Sequence, residues 1–199
     1  PHWSDVGGSV RTAALSPGGK RAVFEARGEI FTVPAEKGDA RNLTRSPGVA
    51  DRTPSWSPDG RSVAWFSDEG GEYGLVLTDQ FGKDARRIEL PSPTFFYTPA
   101  WSPDSKRLAY GDADRNLWVL EIESGDAELV DNEGFAHPQR NIHPEWSPDS
   151  KWIAYSKRLK NQFNAVFVYS VEDGESHQVT DGLADAHSPC FDRGGKVLA

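Results

Sequence analysis

The chain of 199 residues has no methionine and a single cysteine, Cys190. One thiol excludes an internal disulfide and fits a reducing compartment, so a cytoplasmic setting is the expectation. No apolar run approaches the roughly 20 residues of a membrane-spanning helix, and no signal peptide opens the chain. Excess positive charge is also missing, since 22 Lys and Arg stand against 30 Asp and Glu, a balance of −8. So acidic a chain binds nucleic acid and anionic membranes poorly, and neither is an expected partner. Amphipathic helix periodicity is absent too: apolar residues alternate or form short solid runs, the spacing of strands.

Reactive motifs are equally scarce. Gly7-Gly-Ser9-Val-Arg11 comes nearest to a nucleophile elbow, but its closing glycine is absent and no strand-to-helix context surrounds it. There is no His-Glu-x-x-His, no Cys pair for zinc and no phosphate-cradling glycine loop. Asp112-Ala-Asp114 is too short for a calcium loop. Asn42-Leu-Thr44 matches a glycosylation sequon but falls in an expected strand. No catalytic residue, metal site or cofactor is therefore expected.

What the chain does have is a repeat. Trp56-Ser-Pro-Asp-Gly, Trp101-Ser-Pro-Asp-Ser and Trp146-Ser-Pro-Asp-Ser recur, with degenerate copies at Leu15-Ser-Pro-Gly-Gly and Phe191-Asp-Arg-Gly-Gly. From Ser16 through Ser57, Ser102 and Ser147 to Asp192 the steps are 41, 45, 45 and 45 residues. Proline presets the first central turn position, Asp hydrogen-bonds its own backbone, the Ser hydroxyl adds a weaker bond, and Gly or Ser takes the tight last place. An apolar run follows each copy, as in Ser62-Val-Ala-Trp-Phe, so each copy reads as a hairpin turn whose outgoing strand is covered on both faces. Burying a tryptophan removes roughly 150–250 Å² from water, a gross gain of about 4–6 kcal/mol. Trp56, Trp101 and Trp146 are accordingly expected in the core.

Each repeat holds four such segments. They are Val10–Leu15, Ala22–Ala26, Ile30–Val33 and Ala40–Thr44 in the first, and Thr53–Trp56, Ser62–Ser67, Tyr73–Thr78 and Ala85–Leu90 in the second. Thr98–Trp101, Arg107–Gly111, Leu117–Ile122 and Ala127–Val130 form the third, and Ile142–Trp146, Trp152–Ser156, Ala165–Val171 and His177–Thr180 the fourth. Four strands every forty-odd residues predict an all-β fold, a β-propeller. It would be a partial ring of four four-stranded blades at 8–45, 51–91, 96–131 and 141–181, with the first hairpin of a fifth at 186–199. Because Lys196-Val-Leu-Ala199 stops inside an expected strand, the chain reads as an excerpt of a longer protein.

The pattern x-Pro-x-Trp-Ser-Pro-Asp-Gly-Lys/Arg-x-Ile-Ala-Tyr/Phe resembles the WD40-like repeat shared by the TolB group, prolyl-oligopeptidase relatives and tricorn-type proteases. Residues 20–60, the stretch NLWVLEIESG at 116–125 and residues 147–196 closely resemble a propeller of bacterial tricorn-type serine proteases, the second and seven-bladed one. That resemblance implies a non-catalytic pore or scaffold that admits or filters peptides toward an active site elsewhere in the parent chain. Its implied partners are peptides and the parent's remaining domains, in a homo-oligomeric serine peptidase. A TolB-like or free-standing propeller that binds a protein partner is the alternative.

In a propeller the first strand of each blade lines the channel, and the loops entering it share a rim with those joining second and third strands. Aligned on the tryptophan, one channel position reads Arg11, Arg52, Tyr97, Ile142 and His187, and the next reads Thr12, Thr53, Thr98, His143 and Ser188. Arg140 and His137 lie on an entering loop, and Asp68, Arg115 and Lys157 lie across the rim. The channel candidates are Arg11, Arg52, Tyr97, His143, His187 and Arg140. Arg11 and Arg52 recur at one register, where they either tie neighbouring carbonyls, Asp51 and Asp185, or meet peptide carboxylates through the bidentate guanidinium fork.

Overall fold

The computed structural model describes residues 7–97, 99–134 and 142–199. Apart from a single 3-10 turn at Gly7–Ser9, every regular element among them is a strand. The first sheet comprises β1 (Val10–Leu15), β2 (Arg21–Ala26), β3 (Glu29–Pro34) and β4 (Arg41–Asn42). The second comprises β5 (Asp51–Trp56), β6 (Ser62–Ser67), β7 (Gly74–Asp79) and β8 (Arg86–Glu89). The third holds β9 (Ala100–Trp101), β10 (Arg107–Gly111), β11 (Asn116–Glu121) and β12 (Ala127–Asn132). The fourth holds β13 (Glu145–Trp146), β14 (Trp152–Arg158), β15 (Asn164–Ser170) and β16 (Glu175–Gln178). Strand order within each sheet follows chain order, and every neighbour pairs antiparallel, as in a propeller blade. A fifth hairpin opens at the end of the chain, where Phe191 bridges Leu198 and Cys190 and Ala199 exchange backbone bonds of 3.0 Å.

The chain divides into two compact units, one ending at Pro93 and the other starting at Thr94, each carrying two sheets. In the first unit, Val23 and Ile30 of one sheet pack with Trp56, Val63, Trp65 and Val76 of the other. In the second, Ala109, Leu117 and Val119 pack with Ile142, Trp146, Ile153, Tyr155 and Tyr169. The inner strands bury consecutive residues because both of their faces are covered: Val63 through Ser67 are all buried in β6. Trp101 differs from its counterparts. It is half-buried, whereas Trp56 and Trp146 are 8% and 7% exposed.

The repeated turn is built around its serine more than around its aspartate. Ser57, Ser102 and Ser147 are buried; each hydroxyl donates to the Asp two residues on at 2.6 Å and accepts the N–H five residues on at 2.9 Å. Sequence reasoning ranks the hydroxyl as the weaker bond, because it cannot see that this oxygen is sealed from water. The last turn position has φ of +72° at Gly60 and +62° at both Ser105 and Ser150. The serines take a conformation that costs a side chain energy, and Ser150 offsets it by accepting the backbone N–H of Asp104 at 3.0 Å.

These turns also govern the acid limb of stability. The Ser147 hydroxyl and the Lys151 N–H hold the Asp149 carboxyl below its ordinary value. Burial opposes the shift at Asp104, but Ser102 and the Lys106 N–H outweigh it and lower that carboxyl too. Folded values below the unfolded ones mean that the unfolded chain takes up these protons first. The stabilisation is complete above the ordinary carboxyl range near pH 4 and is lost as pH falls through the folded values. Denaturant midpoints measured from pH 6 to pH 2 are expected to fall less steeply for Asp149→Asn than for the parent sequence.

Candidate functional site

The first strands of both sheets in the N-terminal unit are irregular at the same place. Between Val10 and Thr12 the β1–β2 register slips, leaving Arg11 as an extra residue, and between Arg52 and Ser55 the β5–β6 register slips likewise. Pro54 has no N–H to give the ladder, and Thr53 takes φ of +50°. A bulge of this kind bends a strand and re-aims its side chains. Here Arg11 and Arg52 both come to line one cavity of about 340 Å³, shared with Glu25, Arg27, Gly28, Gly48, Val49 and Ala50.

Glu25 organises the cavity. Although only 4% exposed, its Oε2 accepts the Thr12 hydroxyl at 2.9 Å and the Thr53 N–H at 3.0 Å, so one carboxylate joins two sheets. A β-branched residue at positive φ costs of order 1–3 kcal/mol, and the Glu25 bond is one of the contacts that holds Thr53 there. Arg27 and Gly28 are the two-residue loop between β2 and β3, with φ of +56° and +79°, both left-handed as a type I′ hairpin requires. Gly28 is also needed for space: a Cβ there would stand 2.9 Å from the Val49 carbonyl oxygen. Its own carbonyl accepts the Asp51 N–H at 2.9 Å, which ties the hairpin to the start of β5.

The surrounding acids are engaged. Asp51 accepts the Trp65 indole N–H at 3.0 Å and the Ser46 hydroxyl at 2.7 Å, and Asp68 accepts the Ala50 N–H at 2.6 Å. Half-buried Tyr73 has its phenol raised above its ordinary value chiefly by burial, Arg52 opposing and Asp68, Asp51 and Glu25 adding to the shift. The lining thus sets three guanidiniums against one carboxylate, in a chain whose net charge is −8. Guanidinium groups in such a lining match the geometry of an oxyanion.

The remaining channel candidates occupy the C-terminal unit. Tyr97 is half-buried, meets Phe95 edge to face at 5.4 Å and donates its N–H to the Gly111 carbonyl at 2.9 Å. His143 is exposed just beyond buried Ile142. His187 is exposed with Nε2 3.8 Å from Asp185, whose carboxyl is lowered mainly by the backbone and side-chain amides of Asn164. Arg140, His137 and Thr98 lie outside the described residues. Among those described, no three His, Cys, Asp or Glu side chains are grouped closely enough to hold a metal ion.

Glu25 and Arg27 escape the repeat alignment because neither belongs to the first strand of a repeat. The usable signal for Arg27 is the Arg-Gly pair between two apolar runs, which marks the tight hairpin that joins Arg11 and Arg52 in lining the cavity.

Comparison with known proteins identifies the family of the chain. The model for the tricorn protease second beta propeller domain matches residues 10–198. A curated relative, Tol-Pal system protein TolB 1 of Novosphingobium aromaticivorans, is 31% identical over 91 residues, 45% of this chain and 16% of its own length. Among solved structures, the tricorn protease superposes with a TM-score of 0.79 at 18% identity, covering 94% of this chain and 19% of that one. A putative TolB from Agrobacterium tumefaciens gives 0.64 at 20% identity, covering 90% and 65%. TolB from Acinetobacter baumannii gives 0.63 at 19% identity, covering 95% and 47%. This chain therefore spans less than two thirds of each of these proteins, and at such identities the structures speak for the fold alone. The family match runs almost from end to end, through all four sheets and the start of a fifth, and this chain belongs to the tricorn protease second beta propeller domain family.

Proposed function

We propose that this chain is the non-catalytic propeller portion of a tricorn-type serine protease, forming a pore or scaffold that admits or filters peptides toward an active site elsewhere in the parent. The observation that carries this reading is the cavity where Arg11 and Arg52 meet. Two cationic side chains at one repeat register, in an otherwise acidic chain, are a feature that packing alone does not require. Peptides and the parent's other domains are the partners, and the parent is a homo-oligomer in a cytoplasmic setting.

Fragment and parent test this differently. The isolated chain is expected to hydrolyse no peptide; turnover that follows it through purification and yields to a serine-directed reagent would refute a non-catalytic role. In the parent protease, Arg11→Ala/Arg52→Ala is expected to slow turnover of long peptides roughly tenfold, equivalent to about 1.4 kcal/mol. Unchanged rates for long and short peptides alike would reduce both arginines to scaffolding.

The 31% identity to a Tol-Pal protein over 91 residues favours a second reading, an interaction propeller whose rim holds a protein partner. Under that reading the double variant would lose the partner while peptide handling stayed as it was.

A further inference from the structure

We propose that a second copy of this chain docks on the first sheet, its fifth hairpin seating the face that carries Leu15, Phe24 and Phe31. This contact is independent of the peptide-handling reading above and would stand if that reading failed.

Within each unit the two sheets meet by one rule. The residue just before the turn serine of the later sheet is a large knob. The residue two places before the serine of the earlier sheet is small and joins the same cluster. Trp56 and Ala14 follow this rule in the first unit, and Trp146 and Ala100 follow it in the second. The Trp146 indole N–H even donates to the Ala100 carbonyl at 3.0 Å. Strand partners extend both faces. Trp65 and Val76, paired across β6 and β7, widen the knob side of the second sheet, while Val23, paired with Ala14, widens the seat on the first.

The first sheet has a knob side of its own, and it stands open. Leu15 holds the register of Trp56 and is 73% exposed. Phe24 and Phe31, paired across β2 and β3, hold the registers of Trp65 and Val76. With exposed Val10 and Val33 they line a hollow of about 540 Å³. The fifth hairpin supplies the matching seat. Cys190 holds the register of Ala14 and Ala100, and its strand partner Ala199 holds that of Val23 and Ala109. Both are exposed, and so is Val197, two residues earlier on the same face.

A repeat of this kind cannot bury its apolar face alone. One chain carries an open knob face and an open seat at matching registers, so another copy offers the complement of each. The resulting contact is heterologous, knob to seat, and removal of apolar surface from water drives it.

Sedimentation velocity of this chain from about 1 to 200 µM tests the docking. The unaltered chain is expected to pass from monomer to dimer and larger multiples as its concentration rises. Leu15→Glu/Val33→Glu blocks the knob face and Cys190→Arg blocks the seat; all three positions are exposed, so circular dichroism should not change. Each variant alone is expected to remain monomeric, while an equimolar mixture of the two forms a dimer and nothing larger, since each brings the half that the other lacks. Maleimide labelling of Cys190, the single thiol, needs no variant and is expected to slow severalfold as concentration rises. An unaltered chain that stays monomeric throughout would overturn the proposal, as would a mixture that fails to dimerise. Association that survives Leu15→Glu/Val33→Glu would overturn the docking face. Association that survives Cys190→Arg, or labelling that does not slow, would overturn the seat and point to two first sheets meeting face to face.

Discussion

Trp146→Ala is expected to lower the stability of the C-terminal unit by about 3–5 kcal/mol, the range for deleting a large aromatic side chain from a core. Trp146 is 7% exposed and packs with Ala109, Leu117 and Val119 of the third sheet and Ile153, Tyr155 and Tyr169 of the fourth. Its indole N–H also donates to the Ala100 carbonyl at 3.0 Å, so truncation removes packing and a hydrogen bond between sheets together. Trp101→Ala, at the same register but half-buried, is expected to cost roughly 1–2 kcal/mol, in proportion to the smaller area it withdraws from water. Denaturant midpoints of the two variants make the comparison. Equal losses would mean that the register alone, and not burial, sets the contribution of this tryptophan. Trp56 offers a control, since it is equally buried but its indole nitrogen has no partner among the described residues. Trp56→Phe should therefore cost less than Trp146→Phe.

Asp131→Ala should cost about 2–4 kcal/mol, somewhat less than the 3–5 typical of breaking a fully buried pair, because its side chain and that of Lys157 are 16% and 21% exposed. Asp131 sits on β12 and receives two groups from β14. The Lys157 ammonium stands 2.5 Å from Oδ1, and the fully buried Tyr155 donates its hydroxyl to Oδ2 at 2.7 Å. Phe167 completes the cluster, stacked on Tyr155 at 5.7 Å and beneath the Lys157 ammonium at 5.4 Å. Burial first, with Asp131 as acceptor contributing, pushes the Tyr155 phenol well above its ordinary range. Removing the carboxylate leaves Lys157 without its counter-ion and Tyr155 with Ser176 alone, 2.9 Å away. Adding Lys157→Met to Asp131→Ala should recover at least half of the loss, because an apolar chain can lie on Phe167 where a stranded ammonium cannot. A single variant within 0.5 kcal/mol of the parent would show that the pair contributes nothing net, as exposed ion pairs often do.

Much of the architecture was legible because the chain repeats itself. A Ser-Pro-Asp turn followed by an apolar run has few ways to fold other than a hairpin, and β1, β6 and β10 coincide with the stretches expected from pattern alone. Edges were less legible. β4 keeps only Arg41 and Asn42 of an expected 40–44, where the Asn42 side chain turns back to accept the N–H groups of Thr44 and Arg45. That local bond competes with ladder pairing, a contest that composition cannot settle. β13 keeps two residues of an expected 142–146, although Ile142, ahead of it, is buried. Side-chain burial continued there without backbone pairing, and hydrophobic pattern reports only the first.

By itself the sequence determined the repeat length, the all-β class, the hairpin turns and the family, because each depends on residues adjacent along the chain. It also put Arg11 and Arg52 at one register. Only the tertiary structure decided that two bulges turn both arginines into a single cavity, that Arg27 joins them from a different hairpin, and that Glu25 serves Thr12 and Thr53 at once. It likewise separated Trp101 from Trp56 and Trp146, which local sequence renders identical. The physical reason is common to these cases: burial and electrostatic company are set by what a neighbouring sheet brings up against a residue, and a linear pattern holds no record of that distance.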